Sequence, residues 1–249
     1  MKLHQKIAKF LFGRTYPVKT TPECSFIVNP SIRHRILIEL LPRKFKEKHL
    51  TVHFSERIVE KAFVIQNIPK DKNISILEVG CTGSKVVLYL ANLGYKIKGI
   101  DFFDYNVAHP NFTFSKGNFF DQNFRENSFD VVILLSVIEH VGLNAYGENI
   151  ADSEEDYKMV SKIHKILKPD GILLLTTPYG NFPSRPIFRV YNQERINALL
   201  KPFRHKECTY YKLENRLYYV ETTKEALETM DSKEEAGGIK GLICVIAKK

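Results

Sequence analysis

The stretch Ile74-Ser-Ile-Leu-Glu-Val-Gly-Cys-Thr-Gly-Ser84 limits what this chain can become more than any other. A short apolar strand runs to an acid, Glu78, and then into a turn bearing Gly80 and Gly83. An amphipathic segment follows at once, with Val86, Val87, Leu88, Leu90, Ala91 and Leu93 apolar. Gly94 ends it, as a left-handed residue just past a helix does. Strand, tight turn and helix is the unit from which an α/β sheet builds a nucleotide pocket. The crevice opens beyond the carboxyl ends of the parallel strands, where the helix N-terminus presents unpaired N–H groups. The next strand, Tyr95 to Ile100, ends in Asp101. A carboxylate at that tip can accept from both hydroxyls of a ribose.

The residues around the turn narrow the choice of ligand. A dinucleotide site uses G-x-G-x-x-G to bring a pyrophosphate close to backbone. Here the turn is Gly80-Cys-Thr-Gly83, and Glu78 stands two residues before it. A carboxylate so placed repels a pyrophosphate and attracts an ammonium or sulfonium. That favours S-adenosylmethionine (SAM), which is cationic and carries no phosphate.

Four segments in order now resemble the class I SAM-dependent methyltransferases: Glu78-Val-Gly80-Cys, Gly99-Ile-Asp101, Phe129 through His140, and Leu167 through Pro178. The resemblance covers roughly residues 74–180. It implies a Rossmann-like α/β fold: a mostly parallel sheet with an antiparallel last strand and helices on both faces. It further implies that Gly80, Cys81, Thr82 and Gly83 bring backbone to the amino-acid part of SAM, with Glu78 fixing the ammonium. Asp101 then holds the ribose, Phe102 flanks the adenine, and Asn118 and Phe119 meet its edge and face. Phe102 and Phe119 read equally as core aromatics. Ser136, at the end of the fourth strand, joins the cofactor set. Two departures stand out. Thr82 and Ser84 replace glycines of the family's E/D-x-G-x-G-x-G, and Asn118 stands where the family often has an acid.

Transfer of a methyl group from a sulfonium needs alignment above all, and a hydroxyl acceptor also needs a base. The loop after the fourth strand borders the methyl end of the cofactor. In it, His140 is the candidate base, since its unperturbed pKa lies near operating pH. Glu139 orients it, holds substrate hydroxyls or joins it on a divalent metal; alternatively both residues brace the loop. No third ligand has suitable spacing, so no metal site is assigned. Tyr146-Gly147, Thr177 to Gly180 and Arg185 to Tyr191 are candidates for the acceptor side. These segments resemble methyltransferases of surface-polysaccharide and glycolipid assembly, which implies a sugar hydroxyl as acceptor. The alternatives are a quinone or lipid phenol, a nucleic acid, and a SAM-binding protein without turnover. Against a nucleic acid, the Asp/Asn-Pro-Pro-aromatic motif of exocyclic-amine enzymes is absent after the fourth strand.

Strands are expected near 74–79, 95–100, 111–115, 129–135 and 171–177, with a last strand over 241–247. Helices are expected from Ser55, as a cap, through Ile65; from Asp152 to Leu167, with Ser153 and Asp156 as a capping box and Tyr157, Val160, His164 and Leu167 on one face; from Asn192 to Leu200; and over 222–236. Residues 1–73 read as a basic, mostly helical extension or lid, and 74–249 as the SAM-binding domain. Residues 1–75 hold 15 Lys and Arg against 6 Asp and Glu, and the remainder 22 against 22, so the whole net charge of +9 lies ahead of the sheet. Such asymmetry suits an anionic partner, such as nucleic acid, a membrane surface or a substrate phosphate, or else a solvated face. Cys24, Cys81, Cys208 and Cys244 form no C-x-x-C pair, which suits a reducing cytoplasm. No signal peptide or membrane span is read. The expected protein is cytoplasmic or peripheral to a membrane, a monomer or homodimer, acting on a small molecule or glycan.

Overall fold

The computed structural model describes residues 55–143, 154–184, 186–214, 218–230 and 239–249. Eight strands form one sheet: β1 (Ile76–Val79), β2 (Ile97–Asp101), β3 (Phe112–Lys116), β4 (Phe129–Leu135), β5 (Leu167–Pro178), β6 (His205–Glu214), β7 (Tyr218–Thr222) and β8 (Gly241–Lys248). Their order is β3-β2-β1-β4-β5-β8-β6-β7. The first five run parallel, and β8, β6 and β7 join antiparallel. The chain order reverses between β1 and β4, so their carboxyl ends flank the crevice where such sheets bind ligands.

All four residues of β1 and the last five of β4 are buried. Alternate side chains enter opposite cores. Leu77, Val79, Val132 and Leu134 meet Val160 and Ile163 of one helix, α4 (Glu155–Ile166). Ile76, Val131, Ile133 and Leu135 share the other core with Phe63 and Val64 of α1 (Arg57–Asn67) and Val87 and Leu90 of α3 (Val86–Asn92). Both faces are therefore covered, which explains why these strands read as unbroken apolar runs. A short α2 (Cys81–Ser84) precedes α3, and α5 (Gln193–Leu199) and α6 (Lys224–Glu228) follow β5 and β7.

Several local expectations hold. Gly94 has φ +91°, and the Tyr95 N–H reaches Leu90 O at 3.0 Å, closing α3 in left-handed fashion. Asn192 caps α5 through Arg195 N–H. Others are corrected. Helix α1 has Glu56 at its N-cap, not Ser55, and lies within the compact unit 56–249. Helix α4 has Glu154 at its N-cap without a side-chain cap, and Ser153 lies outside the described residues. Its buried face is Asp156, Met159, Val160, Ile163 and Ile166, so Tyr157 and His164 flank the stripe. Leu167 already pairs with Phe129, so β5 starts four residues before Gly171 and carries Asp170 at φ +63°. Helix α6 spans only five residues, and 231–238 lie outside the described set. The expected elements of residues 1–54, Tyr146-Gly147 and Arg185 also lie outside it. Among the described residues no helix is long and apolar enough to cross a membrane.

Candidate active site

The turn after β1 is shaped by sterics. Gly80 has φ +75°, and its N–H bonds Ile100 O at 2.9 Å. A Cβ at Gly80 would lie 2.3 Å from Val137 Cγ2, so only glycine lets this turn pass the loop after β4. Cys81 is buried against Gly99, where a Cβ would lie 2.6 Å from its Sγ. Thr82, at a family glycine position, donates to Asp101 Oδ2 through its N–H at 2.9 Å and its hydroxyl at 2.7 Å. Phe103 N–H holds Oδ1 at 3.1 Å. The tip carboxylate of β2 is thereby fixed in place before any ligand arrives.

Glu78 lies beneath this turn. It is fully buried, accepts from Ser84 Oγ, and takes Val87 N–H at 3.0 Å. Burial pushes its carboxyl up to about 8, against the pull of those two donors. It therefore ties the starts of α2 and α3 to β1. Strand alternation signals this placement: Leu77 and Val79 enter one core, so Glu78 points the other way.

The adenine side expected from sequence follows β2 and β3. Phe102 stands at the rim, 42% exposed, whereas Phe119 is 3% exposed and packs with Phe120 and Phe124. Asn118 Oδ1 accepts Phe120 N–H at 2.9 Å. Lys162, reaching over from α4, donates to the carbonyls of Phe119, Phe120 and Gln122 at 3.0, 2.7 and 2.9 Å. That one ammonium pins the whole loop.

Across the crevice, β4 ends at Ser136, whose φ is +46°. Its N–H bonds Thr176 O at 3.1 Å, and its hydroxyl donates to Glu60 of α1. Glu60 is fully buried and also accepts from Thr176 Oγ1 at 2.6 Å and Arg57 Nη1 at 2.9 Å. Arg57 donates to Leu135 O at 3.0 Å as well and presents its guanidinium to the cleft near Gly83. Sequence reading missed both residues. Their i, i+3 spacing on an amphipathic helix was the available signal.

A single 3₁₀ turn, Ile138–His140, carries the candidate base. Glu139 is 1% exposed, with Thr177 Oγ1 at 3.4 Å and His140 Nε2 at 4.0 Å. Burial pushes it up to about 8. His140 Nδ1 lies within hydrogen-bond distance of Ile187 O. A carbonyl only accepts, so Nδ1 bears the proton in that bond and Nε2 is the ring's other nitrogen, on the side of Glu139. The segment 187–191 grips the rest of the turn. Arg189 N–H bonds Glu139 O at 2.9 Å, and its Nη1 donates to Val141 O. Tyr191 OH sits 3.1 Å from Ile138 O and 2.8 Å from Asp156 Oδ2. Asp156 is buried and forked by Arg195, with Nη2 3.0 and 2.9 Å from its two oxygens.

Gly80, Thr82, Gly83, Asp101, Phe102, Asn118, Phe119, Ser136 and His140 line one open cleft of about 950 Å³, with Glu78, Cys81 and Glu139 behind its wall. The Asp101 carboxylate, the Arg57 guanidinium and the His140 imidazole thus face one cleft.

Comparison with known proteins agrees with this arrangement. The methyltransferase domain family matches residues 77–175. The ubiquinone biosynthesis O-methyltransferase of Rickettsia akari is 29% identical over 131 residues, which cover 49% of this chain and 47% of that protein. The chain spans about half the length of the curated relatives it matches. A SAM-dependent methyltransferase from Archaeoglobus fulgidus shares the fold, with TM-score 0.55 and 16% identity over 83% of this chain and 98% of that one. So does a phosphoethanolamine N-methyltransferase of Haemonchus contortus, solved with phosphomonomethylethanolamine and S-adenosylhomocysteine, with TM-score 0.51 and 16% identity over 77% of this chain and 52% of that one. Sheet order, glycine turn and ribose-type acid all converge with these matches: residues 77–175 match a methyltransferase domain, and the chain has the fold of SAM-dependent methyltransferases.

Proposed function

We propose that this chain transfers a methyl group from SAM to a hydroxyl of a small-molecule acceptor, with His140 as the base. The observation that carries this reading is the imidazole: it lines the cleft on the turn after β4, with Nδ1 held by Ile187 O. The residues present fit the cofactor. The turn at Gly80 is a cradle that a single Cβ would fill. Arg57 offers a guanidinium to the methionyl carboxylate, and Asp101 offers its remaining lone-pair capacity to the ribose. When bound, the cofactor supplies a methyl group already activated by its sulfonium. What this chain adds is orientation, and a base worth roughly 10²–10⁴-fold.

A phenolic hydroxyl is the acceptor class that the relatives' names favour, since several are ubiquinone biosynthesis O-methyltransferases. Nothing in the comparisons supports the sugar hydroxyl suggested by the segments after the fourth strand. The decisive test is calorimetric titration with S-adenosylhomocysteine, followed by labelled methyl transfer to a catechol. Micromolar binding that is lost in Asp101→Ala is expected. In His140→Gln, binding should persist while turnover falls about 100-fold or more. Failure of the wild-type chain to bind S-adenosylhomocysteine would sink the reading.

A further inference from the structure

Arg189 is the one strongly buried arginine among the described residues, only 8% exposed. It sits against the turn that carries His140. Its N–H bonds Glu139 O, and its Nη1 donates to Val141 O on the cleft wall. The other fork nitrogen, Nη2, is closed from solvent and has no hydrogen-bond partner among the described residues. A buried guanidinium is normally matched by an anion, because taking the cation out of water is costly. The two nearby acids do not match it. Asp156 is already forked by Arg195 and bonded by Tyr191. Glu139 is pushed up to about 8 by burial, which favours its neutral form.

We infer that Arg189 is an anion-recognising residue of the acceptor site, and that the acceptor carries a carboxylate or phosphate beside the hydroxyl it presents to His140. This rests on the proposed methyl transfer and narrows its substrate to oxyanion-bearing molecules. A guanidinium fork suits such groups, because two parallel N–H donors match two oxygens. With Nη1 already on a carbonyl, Nη2 supplies the free arm. The anion must displace whatever closes Nη2, so modest affinity is expected.

The test uses the full chain saturated with S-adenosylhomocysteine. Three probes are titrated by calorimetry at constant ionic strength in chloride: 3,4-dihydroxybenzoate, its neutral amide 3,4-dihydroxybenzamide, and inorganic phosphate. Wild type should bind at least one anion about tenfold more tightly than the neutral amide. Arg189→Gln should lose that preference, and Arg189→Lys should keep part of it. Preference for the benzoate over phosphate assigns a carboxylate, and the reverse assigns a phosphate. Equal binding of anion and amide by wild type, or an unchanged preference in Arg189→Gln, overturns the inference and leaves Arg189 a brace for the turn. Retention of S-adenosylhomocysteine binding by both variants shows that they fold. Loss of it in wild type would count against the methyl-transfer reading instead.

Discussion

On the cofactor side of the cleft, between β1 and β3, the groups that shape the wall are close in sequence and held by backbone. Gly80 N–H reaches Ile100 O, and Thr82 reaches Asp101 from 19 residues away. On the acceptor side, the turn at Ile138–His140 is gripped from far along the chain. Ile187 holds His140 across 47 residues, and Tyr191 reaches Ile138 across 53. The first wall is stiff because a methyl group has no room in it. The second is stiff because buried polar groups have found partners. One fails when an atom is added, the other when a partner is removed.

The largest expected effect comes from the acceptor side. Asp156→Ala leaves the Arg195 fork and the Tyr191 hydroxyl without their common acceptor. Breaking a buried pair in this way costs about 3–5 kcal/mol, and the partial exposure of Arg195 places this case at the low end. Thermal unfolding should show a fall of about 6–12 °C in Tm. Asp156→Asn, which keeps an acceptor oxygen, should lose less. A fall below about 2 °C in the alanine variant would mean that the grip on the turn lies elsewhere.

The cofactor side is tested by adding one methyl group at each of two neighbouring glycines. Alanine at Gly80 must adopt φ +75° and place its Cβ 2.3 Å from Val137. Left-handed strain alone is of order 1–3 kcal/mol. Affinity for S-adenosylhomocysteine should fall about 100-fold. At Gly83 the new Cβ meets only Arg57 Nη2, at 3.7 Å, an ordinary contact. Calorimetry should find Gly83→Ala within about threefold of wild type. Equal losses at both positions would mean that the cofactor, not Val137, limits the space there.

The same contrast decides what could be read from the sequence. Strand β4 lies over Phe129–Leu135 as its apolar run indicates, and Gly94 and Asn192 punctuate their helices where local chemistry puts them. The glycine turn and Asp101 were legible because the pocket's first wall is built from adjacent residues. On the acceptor side His140 and the segment 185–191 stood out, but not the contacts that join them. Asp156 looked like a capping acid by its spacing, but tertiary partners claim it. Arg57 and Glu60 were missed, because only the fold buries Glu60 against Ser136 and Thr176. Nothing local to Ile187–Tyr191 reveals that it closes on a turn some 50 residues earlier.

The smallest effect separates the two sides by pH. Glu78 on one side and Glu139 on the other are fully buried carboxyls raised from 4.5 to about 8. Between those values the native chain holds protons that the unfolded chain has released. The stability each confers is therefore complete below about pH 4.5 and is lost as pH rises through about 8. Each contributes a slope of at most about 1.4 kcal/mol per pH unit. Charging is not equally costly at the two sites. Glu78 has Ser84 Oγ and Val87 N–H to receive its charge, whereas Glu139 has, among the described residues, the long contacts from Thr177 Oγ1 and His140 Nε2. Urea unfolding from pH 5 to 8.5 should show Glu139→Gln losing stability less steeply than wild type and overtaking it near pH 8. His164, whose pKa burial lowers, works in the opposite direction but cancels in that difference. Parallel curves for the two proteins would mean that Glu139 is charged and hydrated in the native state. The acceptor side would then be wet, and Arg189 would have a counterion of its own.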